Sequence, residues 1–418
     1  MKFVIDQEVL FDVFAKMQSI SLSGIAKDFQ QAGRLTIEVL DDKVNFWTTN
    51  GHMDARCVIT AVSDCEPGIS TVNVAMGKNI VKSLGNSKDP IAVAKKDNGV
   101  GFKNQSKKKR IVRMPTLGTD HVGSNASQKL SVNPPAKSKF KHIFNANDFC
   151  RGVLQTAGYK GVDDATLEYF QVCFHFFPDK VRFVGGDGMR FCIIPIVDKG
   201  NSDKRNTSVD EKGIMLLLPA DQCRVLTNII DGGEVLLNFK DKKTCYIKTG
   251  NFDILLKGIP DVDYIDYFAH AYRHDDAFAL VDVDREDLAD AIGVVESVKD
   301  KDLIQGEGSF HSCIFQISQG ENLELIVDED TYQCEVVCET AKFTPLGKET
   351  KYESSYSSQF LREVVASSEK PTIRFWCIEE DGIMIAAPVE LDNDGNLKAD
   401  IGTAIEFFFA AATEGENE

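Results

Sequence analysis

The feature that most restricts how this chain can fold is an internal period of one third of its length. A strand-like start, KFVID, leads into QEVLFDVFAKM, where Val9, Leu10, Val13, Phe14 and Met17 fall on one helical stripe. The same order returns at FKHIFNANDFCRGVLQTAG, with Phe149, Val153 and Leu154 on the stripe. It returns again at FALVDVDREDLADAIGVVESV, with Leu288, Ala291, Ile292 and Val295. Asp6, Asn145 and Asp284 stand at the three helix starts, and each has an oxygen suited to accept from the exposed amides of a first turn. They lie 139 residues apart each time (145 − 6 and 284 − 145).

Each third continues alike. Two period-2 runs around a polar turn predict a hairpin at RLTIEVLDDKVNFWTT, at EYFQVCFHFFPDKVRFVGG and at FHSCIFQISQGENLELIVD. A further strand follows at NGHMDARCVIT, DGMRFCIIPI and DTYQCEVVCE, then a second short helix at GKNIVKSLGNS, ADQCRVLTNIIDG and SSQFLREVVASS. More strands close each third. The expected class is therefore α+β: three tandem similar domains, each with two helices packed on antiparallel sheet. The domains are placed at 1–122, 140–272 and 273–412, with a linker at 123–139 and a disordered tail at 413–418. Charged loops are expected at 198–212 and 392–403.

Composition narrows the function classes. The 418 residues carry 47 Lys and Arg against 64 Asp and Glu, a net charge of −17, which argues against a protein that simply coats nucleic acid. No apolar run reaches the roughly 18–20 residues of a membrane span, and the N-terminus lacks a signal-peptide pattern. Eleven cysteines without paired spacing fit a reducing cytoplasm, and Cys334 with Cys338 has neither a second pair nor nearby histidines for zinc. The seven histidines show no ligand spacing, and His274-Asp275-Asp276 reads as a solvated corner. GGDG is followed by no helix that would complete an anion site. No nucleophile elbow appears. No catalytic residue, metal or cofactor is expected.

VRFVGGDGMRF, LLKGIPDVDY, the opening MKFVIDQEVLFDVFAKM and the run from GKNIVKSLGNSKDPIAV to RIVRMPTL, taken together, resemble the bacterial-type β sliding clamp, the processivity factor of replicative DNA polymerases. A bacterial or a bacteriophage version fits equally. The resemblance covers nearly the whole chain, but the ending AIEFFFAAATEGENE departs from the family's methionine-proline-methionine-arginine-leucine strand. It implies a ring of two chains head to tail, with helices lining a hole for duplex DNA and sheets on the rim. It also implies a replicative polymerase and a clamp loader as partners, which dock short peptides in a hydrophobic pocket. Carried over by position, that pocket would use Tyr169, Gly188, Met189, Arg190 and Phe191, with Ser357, Phe360, Phe408 and Phe409. The turn at Gly186-Asp187-Gly188 would project Met189 and Phe191 at a domain edge. Pro260 or Tyr264 would line the same cleft. The plainer reading makes Met189, Phe191, Phe408 and Phe409 core strand residues.

If DNA passes the helices, they should be less acidic than the rest. Segments 7–18, 77–88, 147–160, 220–231, 284–301 and 357–370 together carry about −1, against roughly −3 for a proportional share of the total. Lys16, Lys78, Lys82, Arg151, Arg224, Lys299 and Arg362 are the helix cations expected to face the phosphates. The third-domain helix is acidic and does not fit this expectation. KNQSKKKRIVR (103–113) holds six cations and no acid; it reads as an exposed hairpin tip or as a nucleic-acid or partner patch.

Overall fold

A computed structural model describes residues 1–23, 32–85, 89–105, 110–118, 121–123, 128–130, 132–135, 140–159, 171–187, 190–200, 212–260, 263–264, 266–267, 273–297, 312–329, 332–367, 370–378, 383–398 and 407–410. Six α-helices lie among the described residues: α1 (Gln7–Ser21), α2 (Val74–Ser83), α3 (Ala146–Gly158), α4 (Ala220–Thr227), α5 (Arg285–Ser297) and α6 (Ser358–Ala366). They sit on sheets that are antiparallel apart from one short parallel pair, Val122–Gly123 with Gln128–Lys129. Strand, helix, hairpin, strand and second helix recur three times in that order. The expected tail and large parts of the linker and the two charged loops fall outside the described residues.

The chain divides into two compact units: Met1–Leu154 with Phe177–Asp179 and Val197–Asp261, and Gln155–Phe176 with Lys180–Ile196 and Val262–Glu418. In the first unit, Lys2–Asp6 lies between Ser63–Glu66 and Pro90–Lys96, and Gly99–Asn104 and Ile111–Pro115 extend this sheet to five strands. A second sheet of eight strands joins Phe252–Lys257 to Met53–Ile59, with Phe252 opposite Cys57 and Leu256 opposite Met53. One continuous sheet therefore spans the first and second thirds of the sequence. In the second unit the strands run Gln171–Phe176, Val181–Gly186, Arg190–Ile196, Phe407–Ala410, Met384–Val389, Thr372–Cys377, Ala279–Asp284 and Lys342–Pro345. A separate four-stranded sheet is built on Ser312–Ser318 and Leu323–Glu329.

The apolar stripes explain most helix placements. On α1, Leu10, Val13, Phe14, Met17 and Ile20 are buried, and Phe14 meets Phe46 and Phe102 edge-on at 6.4 and 6.2 Å. Burying such a ring contributes about 2–3 kcal/mol. The α1–α2 contact requires Gly77, because a Cβ there would collide with the Phe14 ring. Leu288, Ala291, Ile292 and Val295 are buried on α5, as the period requires. On α3 the stripe is rotated from expectation: Phe149, Val153 and Ala157 are buried, whereas Leu154 is 52% exposed. Leu154 follows Val153 by about 100° around the helix, and only one of the two can face the sheet.

Capping also differs from the simple expectation. Asn145 accepts from the amides of Asn147 (2.9 Å) and Asp148, and Asp284 from those of Glu286 (2.9 Å) and Asp287. Asp6 occupies the cap position of α1 but makes no capping hydrogen bond. The unforeseen cap is Asn73, which accepts from Met76 at 2.9 Å and starts α2 three residues before Gly77. His274-Asp275-Asp276 lies in a one-turn 3-10 helix in which Arg273 pairs with Asp276 at 3.0 Å. No His, Cys, Asp and Glu grouping suited to a metal occurs among the described residues. No described helix is long and apolar enough to cross a membrane.

Candidate functional site

The helix cations do not form one equivalent set. Lys78 and Lys82 are one turn apart on α2, so they share a face. Lys82 is exposed in the last turn, where its charge complements the carbonyl end of the helix. Lys78 is half-buried, its ammonium 5.9 Å from the centre of the Phe11 ring. The hairpin bearing the basic run is fastened to the same helix end. Arg110 Nη1 donates to the Ser83 carbonyl at 3.2 Å, and Asn104 Nδ2 donates to that of Leu84 at 2.6 Å. Arg151 is half-buried on α3 and Arg224 exposed on α4.

Two other cations depart from the expected role. Lys16 is 5% exposed; its ammonium donates to Asp12 at 2.8 Å and to Asp231, and lies 5.7 Å from the centre of the Phe252 ring. It is held inside the first unit rather than displayed to solvent, because the Asp231 carboxylate arrives over it from 215 residues away. Arg362 is exposed on α6 but pairs with Glu296 of α5 at 3.2 Å, which compensates its charge locally. Lys299 lies outside the described residues.

The second unit brings several expected pocket residues together. Arg190–Ile196 pairs on one side with Val181–Gly186 and on the other with the C-terminal strand, with Phe191 opposite Phe409 and Cys192 opposite Phe408. The backbone thus carries the expected Phe408 and Phe409 beside the turn that precedes Arg190. That turn is closed by the Asp187 amide donating to the Arg190 carbonyl at 3.1 Å and the Arg190 amide donating to Asp187 Oδ1 at 2.8 Å. A strand, not a helix, follows it. Phe191 is buried instead of projecting, because its ring lies against the bare Cα of Gly186. Phe360 is also fully buried and Ser357 nearly so. Tyr169, Gly188 and Met189 lie outside the described residues, as do the side chains of Phe408 and Phe409.

A charged cluster at this place was not visible in the sequence. Arg190 Nε and Nη2 donate to Asp187 Oδ2 at 2.9 and 2.6 Å, and Nη1 donates to Glu363 Oε2 of α6 at 3.3 Å. The guanidinium lies 5.3 Å from the centre of the Tyr159 ring. Gln359 supports the Glu363 carboxylate at 2.8 Å. Burial would lower the Arg190 pKa, but the Asp187 and Glu363 carboxylates outweigh it and raise it. Burial pushes the Glu363 carboxyl up despite Arg190, and burial with the Glu363 charge pushes the Tyr159 phenol well up. Gln155 near the end of α3 donates to the Ser367 carbonyl at 2.6 Å, and Tyr264 donates to that of Val184 at 3.2 Å. With Glu363 lying 173 residues from Arg190, no local pattern could have disclosed the pair.

The architecture is that of a sliding clamp. The chain superposes over 99% of its length on all of a DNA polymerase III subunit beta from Pseudomonas aeruginosa, with a TM-score of 0.78 at 16% identity. It superposes equally on a DNA polymerase sliding clamp from Bacillus subtilis, over 99% of both chains, with a TM-score of 0.79 at 13% identity. A Pseudomonas aeruginosa DnaN sliding clamp bound to griselimycin gives 0.77 at 15% identity, over 99% of this chain and 100% of that one. No family model matches the sequence, and no curated protein is significantly similar to it. At these identities the likeness establishes the fold.

Proposed function

We propose that this protein is a non-catalytic DNA sliding clamp that encircles duplex DNA as a homodimeric ring and tethers a replicative polymerase after placement by a clamp loader. The observation that carries this reading is the likeness of the whole chain, at both ends and throughout, to solved beta-subunit clamps. A clamp needs no active site: retention is topological, and weak sequence-independent contacts to phosphate leave it free to slide. Lys78 and Lys82, with Arg151 and Arg224, supply such contacts in this reading. The three tandem domains and the partner-peptide site around Arg190 belong to the same proposal, as does a site of action on cytoplasmic DNA.

A second reading, a clamp-fold scaffold that binds proteins without encircling DNA, is favoured by the commitment of Lys16 and Arg362 to carboxylates. Two measurements separate them. Light scattering should give twice the 46.3 kDa of one chain. The loaded protein should stay on closed circular DNA and run off the same DNA once linearised. A triple Lys78→Ala, Lys82→Ala, Arg151→Ala variant should keep its fold and lose retention. A monomer with equal, weak binding to both DNA forms would establish the scaffold instead.

A further inference from the structure

A guanidinium at a peptide-docking site ordinarily attracts an acidic residue or a terminal carboxylate of the ligand. At Arg190 that attraction is already satisfied from within: every one of its side-chain nitrogens donates to a carboxylate, Nε and Nη2 to Asp187 and Nη1 to Glu363. Its face is covered by Tyr159. Within these pairs two carboxylates face one guanidinium, an excess of one negative charge. That excess is not evenly accessible. Arg190 and Asp187 have side chains only 7% and 9% exposed, whereas Glu363 is 20% exposed and lies one helical turn beyond Phe360 on α6. The charge an incoming peptide meets is therefore the Glu363 carboxylate.

We propose that Glu363 is a specificity-determining residue of this site: it turns an arginine-floored pocket into one that favours a partner segment with a cationic or neutral residue beside its apolar anchor and disfavours an acidic one. This rests on reading the second unit as the partner-peptide site. Asp187 and Arg190 cancel one another, so replacing Glu363 by the nearly isosteric glutamine removes the excess charge while keeping a polar partner for Arg190.

The test uses the full chain and labelled, C-terminally amidated hexapeptides that end in a Leu-Phe anchor pair and differ only in the preceding residue: Lys, Gln or Asp. Affinities are read by fluorescence anisotropy for wild type and Glu363→Gln, with thermal melts to establish that the variant is folded. Wild type should bind the Lys peptide about five- to tenfold more tightly than the Asp peptide. The ratio should fall below about twofold in Glu363→Gln, and it should shrink in wild type as salt is raised. A variant that weakens all three peptides equally would reduce Glu363 to a structural role and overturn the proposal. So would an unchanged ratio, or a wild-type preference for Asp, and each of these leaves the pocket reading intact. Failure of wild type to bind any of the peptides would overturn the pocket reading itself, and the proposal with it.

Discussion

The Cα of Gly185 lies against the backbone carbonyl of Thr156, so close that a Cβ on residue 185 would sit well inside van der Waals contact distance of the oxygen. This contact sets how near the end of α3 comes to strand Val181–Gly186, and the helix end in turn carries Tyr159 to Arg190. Because the obstacle is backbone, no rotamer change relieves it. Gly185→Ala should destabilise the second unit by about 3 kcal/mol. Calorimetry should show this as a drop of several degrees in its melting transition; an unchanged transition would mean that α3 stands farther from the sheet.

Asp253 is nearly fully buried and accepts from Tyr246 at 2.6 Å, from Arg56 at 2.7 Å and from Lys248 at 3.1 Å, while Arg56 also stacks on Trp47. Burial would raise this carboxyl, but the Tyr246, Arg56 and Lys248 hydrogen bonds outweigh it and hold it below its ordinary 3.8. A lowered folded-state value means that its contribution to stability is complete above the unfolded value and is lost as pH falls through the folded one. Asp253→Asn should cost about 3 kcal/mol at pH 7, where Arg56 loses its charge partner. As pH falls below that ordinary value, the stability of the variant should fall less steeply than that of wild type, as read by denaturant unfolding.

Lys16 and Lys82 should separate stability from DNA retention. Lys16→Met keeps the buried stem and removes the charge, with its contact to the Phe252 ring and its ion pairs to Asp12 and Asp231, whose carboxylates are half or more exposed. It should cost about 1 kcal/mol and leave run-off from circular DNA unchanged. Lys82→Met should stay within about 0.5 kcal/mol of wild type and shorten retention. The opposite pairing of outcomes would return Lys16 to the phosphate-facing set.

The caps make a paired prediction. Asn73→Ala removes the acceptor for the Met76 amide and should cost about 1 kcal/mol. Asp6→Ala removes no capping bond and should cost well under half of that. Denaturant midpoints of the two variants, measured side by side, check both.

Local features of this fold were legible in the sequence because helices and strands repeat within a few residues. The stripes on α1 and α5 and the hairpins Arg34–Thr49, Gln171–Gly186 and Ser312–Glu329 lie where their 3.6- and 2-residue periods put them. Leu154 was misplaced on its face because Val153 and Leu154 are both apolar neighbours, and the period alone does not say which of them the sheet covers. The candidate site was legible only as separate segments. The sequence marked Arg190, Phe191, Ser357 and Phe360; it left Phe191 open between a projecting and a core residue, and the structure buries both Phe191 and Phe360.

By itself the sequence determined the α+β class, the threefold order of elements and six of six described helices, since each depends on contacts between near neighbours along the chain. The tertiary structure decided which charges remain available. Lys16 and Lys82 look alike on their helices, yet one is enclosed by Asp231 and the other is open to solvent. Arg190 pairs with Asp187 three residues before it, and only the folded chain brings Glu363 of α6 to its remaining nitrogen. Electrostatic compensation acts through space between groups more than a hundred residues apart, and only the folded chain sets those distances.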